Sequence, residues 1–174
     1  MAVPQPLDEY SMIAAPAEVE SVDLATVRAE AADARPLPLG RREDLRELPF
    51  VTIDPSDARD HDDAVFAHPD DDAKNPGSHV VWVAIADVAA YVQPGSALDR
   101  EARDKGNSVY FPDRVEPMLP HVLSSEACSL VPGEDRLAAT AEIELSDAGE
   151  PRSASFYRSR IRSDARLNYG EIDE

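Results

Sequence analysis

The sequence predicts an α+β fold: a mixed, mainly antiparallel sheet with few short helices. Three observations predict it. Short β-branched and apolar runs alternate with clusters of Asp, Pro and Gly. The element order is strands, helix, strands, joined by hairpin-like turns rather than by helical crossovers. At 174 residues with 43% hydrophobic content, the chain is long and apolar enough to bury a sizeable core.

Residues 1–40 read as a loosely ordered segment with one short helix. They are rich in Ala, Pro and Glu. Ser21 is placed to cap a helix through residues 21–35, with Asp23 in its positively polarised first turn. Pro36 and Pro38 then end it. Residues 41–49 have room for one more helical turn. The run 49–53, PFVTI, is β-branched and predicts a buried strand. A polar loop, DPSDARDHDD, follows at 54–63, and AVFA at 64–67 predicts the return strand. Residues 68–78 hold Asn75-Pro76-Gly77 and read as a solvated connection. Residues 79–92, HVVWVAIADVAAYV, are apolar on both faces and predict a central strand.

Ser96 and Gly106 are start and stop signals for a short helix, with Asp99 completing a capping-box-like pair. Residues 108–111 are extended, and 116–130 read as irregular with one helical turn. Residues 136–146 and 151–163 alternate and predict a hairpin, with Gly149 supplying positive φ at its turn. LNYGEIDE at the end reads as the start of a helix.

Charge narrows the function. Seventeen Lys and Arg against 35 Asp and Glu give a net charge of -18, which excludes a generic basic nucleic-acid binder. Any contact with a polynucleotide must be local. One cysteine, Cys128, excludes an internal disulfide and a Cys-based zinc site. No apolar run is long enough to span a membrane. The first residues lack the basic and apolar regions of a secretory signal, so a cytoplasmic setting is expected.

The polar loop holds five aspartates in ten residues: Asp54, Asp57, Asp60, Asp62 and Asp63. Like charges this close raise one another's pKa and destabilise the fold. A divalent cation offsets that repulsion, and carboxylates favour Mg²⁺, Mn²⁺ or Ca²⁺ over zinc. Counting from Asp54, the EF-hand pattern fails: Arg59 stands at its Gly position and Val65 at its bidentate Glu. Two readings remain, a solvated acidic turn and a site for one or two Mg²⁺ ions open to phosphate and water. His61, inside the cluster, reads as a filler pointing away from the ions, although hydrogen bonding to a carboxylate and metal binding are open to it. Arg152, Arg158, Arg160, Arg162 and Arg166 form the one basic stretch, as an RNA path or as a solvated hairpin face.

Residues TIDPSDARDHDDAV resemble the signature of the ribonuclease II/R family, the RNB domain. The likeness continues in register through residues 82–136 and on to 174, and is closest to the proteobacterial ribonuclease R type. It implies a processive, hydrolytic 3′→5′ exoribonuclease that uses Mg²⁺, acts on single-stranded RNA 3′ ends and releases nucleoside 5′-monophosphates. By resemblance Asp54, Asp60, Asp62 and Asp63 are the catalytic, metal-binding aspartates. Asp54 and Asp63 would be ligands, Asp60 would support a second metal, and Asp62 would be the most critical for chemistry. Asp57 matches a non-catalytic position. Tyr110 matches an aromatic that packs on the terminal nucleotide, and Tyr169 a second tyrosine associated with RNA. On the residues alone, Tyr110 also reads as a half-buried strand residue and Tyr169 as packing at a helix start. His61 departs from the bulkier apolar residue common in the family. Residues 41–174 thus read as the N-terminal portion of an RNB domain, truncated at its C-terminus. The family's flanking OB-type domains, phosphate-clamping arginines and later glutamate are absent from this sequence. Low activity of the isolated chain and exposed apolar patches are therefore expected.

Overall fold

The computed structural model describes residues 23–172 except 39 and 73. Helix α1 spans Leu24–Asp33, where the sequence places it. Its cap is Asp23, whose carboxylate accepts from the amides of Ala25 and Thr26, both at 3.2 Å. Ser21 lies outside the described residues. Val27 and Ala31, one helical turn apart, bury one stripe of α1 in the core.

The described residues form eight strands: β1 (Glu43–Asp44), β2 (Phe50–Asp54), β3 (Asp63–Pro69), β4 (His79–Ala86), β5 (Val109–Tyr110), β6 (Val115–Glu116), β7 (Asp135–Leu145) and β8 (Pro151–Asn168). The main sheet runs β1-β8-β2-β3-β4-β7, and β7 pairs again with β8. Five strands therefore close on themselves. Closure is possible because β8 has 18 residues. Its earlier part pairs antiparallel with β7, and its later part pairs parallel with β2 on the other edge. The sheet is mixed and mainly antiparallel, as predicted. Inside it lie Phe50, Trp82, Ala84, Ala138 and Ile161, with Thr140 and Ser159 hydrogen-bonded to each other at 2.6 Å. The outer side carries exposed apolar side chains, notably Ile85 and Phe156.

Three local expectations change. Residues 41–49 form strand β1 and a single 45–48 turn rather than a helical turn of their own. Strand β4 stops at Ala86, short of residue 92, because Asp87 turns the chain. Its amide donates to Leu137 O at 2.9 Å, and its carboxylate meets Arg42 Nη2 at 2.6 Å. Residues 115–116 are a strand paired with β5, and 122–127 form a π-helical turn.

Helix α2 (Ala97–Lys105) starts at Ser96, whose hydroxyl accepts from Asp99 N at 3.1 Å, and ends at Gly106 with φ 73°. The reciprocal bond goes to Gly95 N rather than to Ser96. Two further amides at this end, of Ala97 and Leu98, donate to Glu30 of α1 at 3.2 and 2.8 Å. Those bonds, that from Leu98 above all, hold the Glu30 carboxyl below its usual range. Ser96→Ala is expected to cost about 1 kcal/mol in urea unfolding. No change in the unfolding midpoint would show that Glu30 alone satisfies this helix end.

Candidate active site

Strand β2 delivers Asp54 at its C-terminal end, and Pro55, without an amide hydrogen, ends the ladder. A turn closes at once, Ala58 N donating to Pro55 O at 3.0 Å. The chain returns through Asp60, His61 and Asp62 to Asp63, the first residue of β3, which pairs with Ile85 of β4. Asp54 and Asp60 are half-buried, while Asp57, Asp62 and Asp63 are exposed.

The far end of the loop is pinned at several points. His61 is buried, and its amide donates to the hydroxyl of Ser129 at 3.0 Å. Leu130 N donates to His61 O and Ala86 N to Asp62 O, both at 2.8 Å. The ring of His61 faces inward: Nδ1 lies 2.7 Å from Asp54 Oδ2 and donates to it. The expectation that His61 points away is therefore corrected. A buried ring that bonds a carboxylate satisfies both groups, and residues 129–130 hold the backbone that carries it.

The carboxylates act on one another. The Asp62 carboxyl is raised above its usual range, first by loss of water around it, then by the charges of Asp60, Asp63 and Asp54. Among the described residues, none of Asp54, Asp60, Asp62 and Asp63 has an Arg or Lys within ion-pair distance, and His61 is the one basic neighbour recorded. Nearby, burial pushes the Cys128 thiol up to about 11, which leaves it neutral and inert.

The donor chemistry suits a hard dication: four carboxylates on one loop that lack Arg or Lys partners among the described residues. The geometry is less complete. Among the described residues, no three His, Cys, Asp or Glu side chains converge as a metal-holding group. Asp54 already spends one oxygen on His61.

Tyr169 opens helix α3 (Tyr169–Ile172), directly after β8. Asn168 stands in register with Asp54, so the parallel pairing of β2 and β8 brings Tyr169 to the aspartate end of the sheet. Asn168 and Glu171 form a reciprocal cap. Asn168 Oδ1 accepts from the amides of Gly170 and Glu171, and Glu171 Oε2 accepts from Asn168 N. Leu167 and Asn168, expected in a helix, thus complete the strand. Tyr169 is 59% exposed and Tyr110 is 70% exposed, so neither ring is used up in packing. Tyr110 sits on the separate β5–β6 hairpin, and no strand pairing joins it to the aspartates. Beside it, Arg114 lies over the Phe111 ring at 4.3 Å.

The basic stretch is largely committed within the chain. Arg162 grips Asp135 Oδ1 through Nε at 2.9 Å and Nη2 at 2.6 Å. Arg158 approaches Asp87 at 3.5 Å. Arg166 turns to the loop, where Nη2 donates to Ser56 O at 3.0 Å and Ala58 O at 3.1 Å. Strand alternation puts Arg158, Arg160 and Arg162 on one side of the strand but carries no signal of those partners.

Known proteins resemble this arrangement. The RNB domain profile matches residues 42–174. Ribonuclease R of Vibrio parahaemolyticus is 53% identical over 131 residues, covering 75% of this chain and 15% of that protein. The structure of Mycoplasma genitalium RNase R in complex with double-stranded RNA superimposes with a TM-score of 0.78 at 34% identity. It covers 86% of this chain and 26% of that one. Yeast Ssd1, described as a pseudonuclease, shares the fold with a TM-score of 0.69 at 21% identity, over 80% of this chain and 18% of its own. This chain therefore spans only a minor part of the proteins it matches. With a family match over most of its length and a shared fold around the aspartate loop, the chain belongs to the RNB domain family.

Proposed function

We propose that this chain carries the metal-bearing part of a hydrolytic 3′→5′ exoribonuclease that releases nucleoside 5′-monophosphates in the cytoplasm. The observation that carries the reading is a loop anchored at both ends on which burial, and then the charges of Asp60, Asp63 and Asp54, raise the Asp62 carboxyl, with no Arg or Lys within ion-pair distance of the four among the described residues. Asp54 and Asp63, at the facing ends of β2 and β3, are the proposed ligands of Mg²⁺. Asp60 supports a second ion, and Asp62 is the residue on which the chemical step depends most. Bound Mg²⁺ supplies an activated water and charge stabilisation at the leaving oxygen. His61 holds one oxygen of Asp54, which leaves the other for the ion.

The exposed rings of Tyr110 and Tyr169 offer stacking surfaces for bases at the 3′ end of single-stranded RNA. Stacking is worth ~1–3 kcal/mol per base and tolerates every sequence. That tolerance matters here, because a net charge of -18 gives no general attraction for RNA. Among the described residues no helix is long and apolar enough to cross a membrane.

A second reading is a non-catalytic module that binds RNA or a divalent ion. It is favoured by the lack of three convergent donors among the described residues. A segment exchange separates the two. Residues 42–174 replace their counterpart in the Vibrio parahaemolyticus ribonuclease R, and the chimera is given single-stranded RNA labelled at its 5′ end. The catalytic reading predicts Mg²⁺-dependent shortening from the 3′ end with 5′-monophosphate products. A folded chimera that binds this RNA without shortening it supports the second reading. The isolated 174-residue chain is expected to be nearly inactive, because substrate positioning supplies much of the rate. Rapid Mg²⁺-dependent degradation by the chain alone would contradict that expectation.

A further inference from the structure

We propose that Arg166 is the positioning residue of the aspartate loop: its guanidinium clasps the backbone of Ser56 and Ala58 and fixes where Asp60 stands relative to Asp54. The proposal rests on the metal reading above and adds to that site a residue outside the carboxylate set. Both bonds come from one nitrogen, Nη2, whose two hydrogens reach Ser56 O at 3.0 Å and Ala58 O at 3.1 Å. A single side chain thereby sets the direction of two loop carbonyls, one on either side of Asp57. Backbone contacts of His61 and Asp62 hold the far end of the loop, and the His61 ring ties it to Asp54, but none of these bonds reaches residues 56–60. Residues 56–60 lie in no helix or strand, and besides the clasp the one bond recorded there is the local turn from Pro55 to Ala58.

The strand pairing explains why position 166 does this. Arg166 stands in register with Thr52, two residues before the Asp54–Asn168 pair, on a strand parallel to β2. Its long stem extends past the end of the ladder to the loop that leaves it. The same strand leads three residues later to Tyr169, so the clasp ties the proposed metal loop to the proposed RNA-contacting ring. Lys keeps the positive charge, but its shorter stem ends in a freely turning ammonium, whereas the guanidinium plane fixes the directions of both Nη2 hydrogens.

The test is Arg166→Lys in the full 174-residue chain, read by amide hydrogen exchange, thermal melting and Mn²⁺ titration. Exchange of the Ala58 amide, which donates to Pro55 O at the clasped turn, is expected to accelerate about tenfold while the strands keep their protection. Mn²⁺ affinity is expected to fall roughly tenfold with the melting temperature nearly unchanged. A role of charge alone predicts unaltered Mn²⁺ binding in Arg166→Lys, and that result overturns the proposal. Unaltered exchange of the Ala58 amide overturns it as well. Asp62→Asn, titrated in parallel, reports on the underlying reading. If the unsubstituted chain binds no Mn²⁺, or Asp62→Asn binds it as tightly, the metal reading falls and takes the positioning role with it.

Discussion

Asp62→Asn in the ribonuclease R chimera is expected to slow hydrolysis of single-stranded RNA by at least about a hundredfold. The metal centre of a phosphodiester hydrolase supplies several kcal/mol of transition-state stabilisation, and each ~1.4 kcal/mol is tenfold in rate. Asp62 is the member of the cluster on which three other carboxylates act at once. Asparagine keeps its size and removes its charge, so the fold is expected to persist. RNA binding should fall far less than the rate, because the stacking rings are untouched. Single-turnover digestion measures this, and a rate within threefold of the unsubstituted chimera would remove Asp62 from the chemistry.

Asp87→Ala is expected to destabilise the chain by ~3 kcal/mol or more, with a melting temperature lower by roughly 10 °C. Asp87 and Arg42 form an ion pair at 2.6 Å, with side chains only 6% and 12% exposed. Arg42 Nη1 also bonds Ala138 O of β7 at 3.4 Å and Ser159 O of β8 at 3.3 Å. The pair therefore fastens the seam where β7 and β8 close the sheet. Removing the carboxylate leaves a desolvated guanidinium without its anion, which is the costly way to break such a pair. Replacing both partners by apolar residues, Arg42→Met with Asp87→Leu, is expected to cost less than the single change. Thermal melts of the three variants check the order. An Asp87→Ala chain that melts with the unsubstituted one would show that water already screens the pair.

Much of the fold is legible in the residues. The strands at 49–53 and 64–67 and the hairpin after residue 135 carry enough β-branched or alternating residues to declare themselves. Ser96 and Gly106 mark α2 by side-chain and backbone chemistry alone. Two-residue strands such as β1 and β6 carry no period, so nothing local distinguishes them. The end of β4 is hidden because DVAAYV stays apolar while a distant arginine decides where the strand turns. Closure of the sheet depends on β8 pairing along both edges, which no local pattern records.

The candidate site divides in the same way. The density of aspartates after a β-branched strand is visible in the sequence. The inward turn of His61 requires knowing that Ser129 and Leu130 hold its backbone. Alternation gives the side of the strand on which Arg166 lies but not the carbonyls that it meets. Tyr169 reaches the aspartates through strand register, a long-range property.

The account stands on a shared focus for Asp54, Asp60, Asp62 and Asp63. Anomalous diffraction from crystals of the chain soaked in Mn²⁺ examines it. The expected map holds a peak enclosed by carboxylate oxygens of at least three of these residues, at about 2.1 Å, the spacing of a small octahedral dication. A map without that peak, with the four side chains directed separately into solvent, would contradict it.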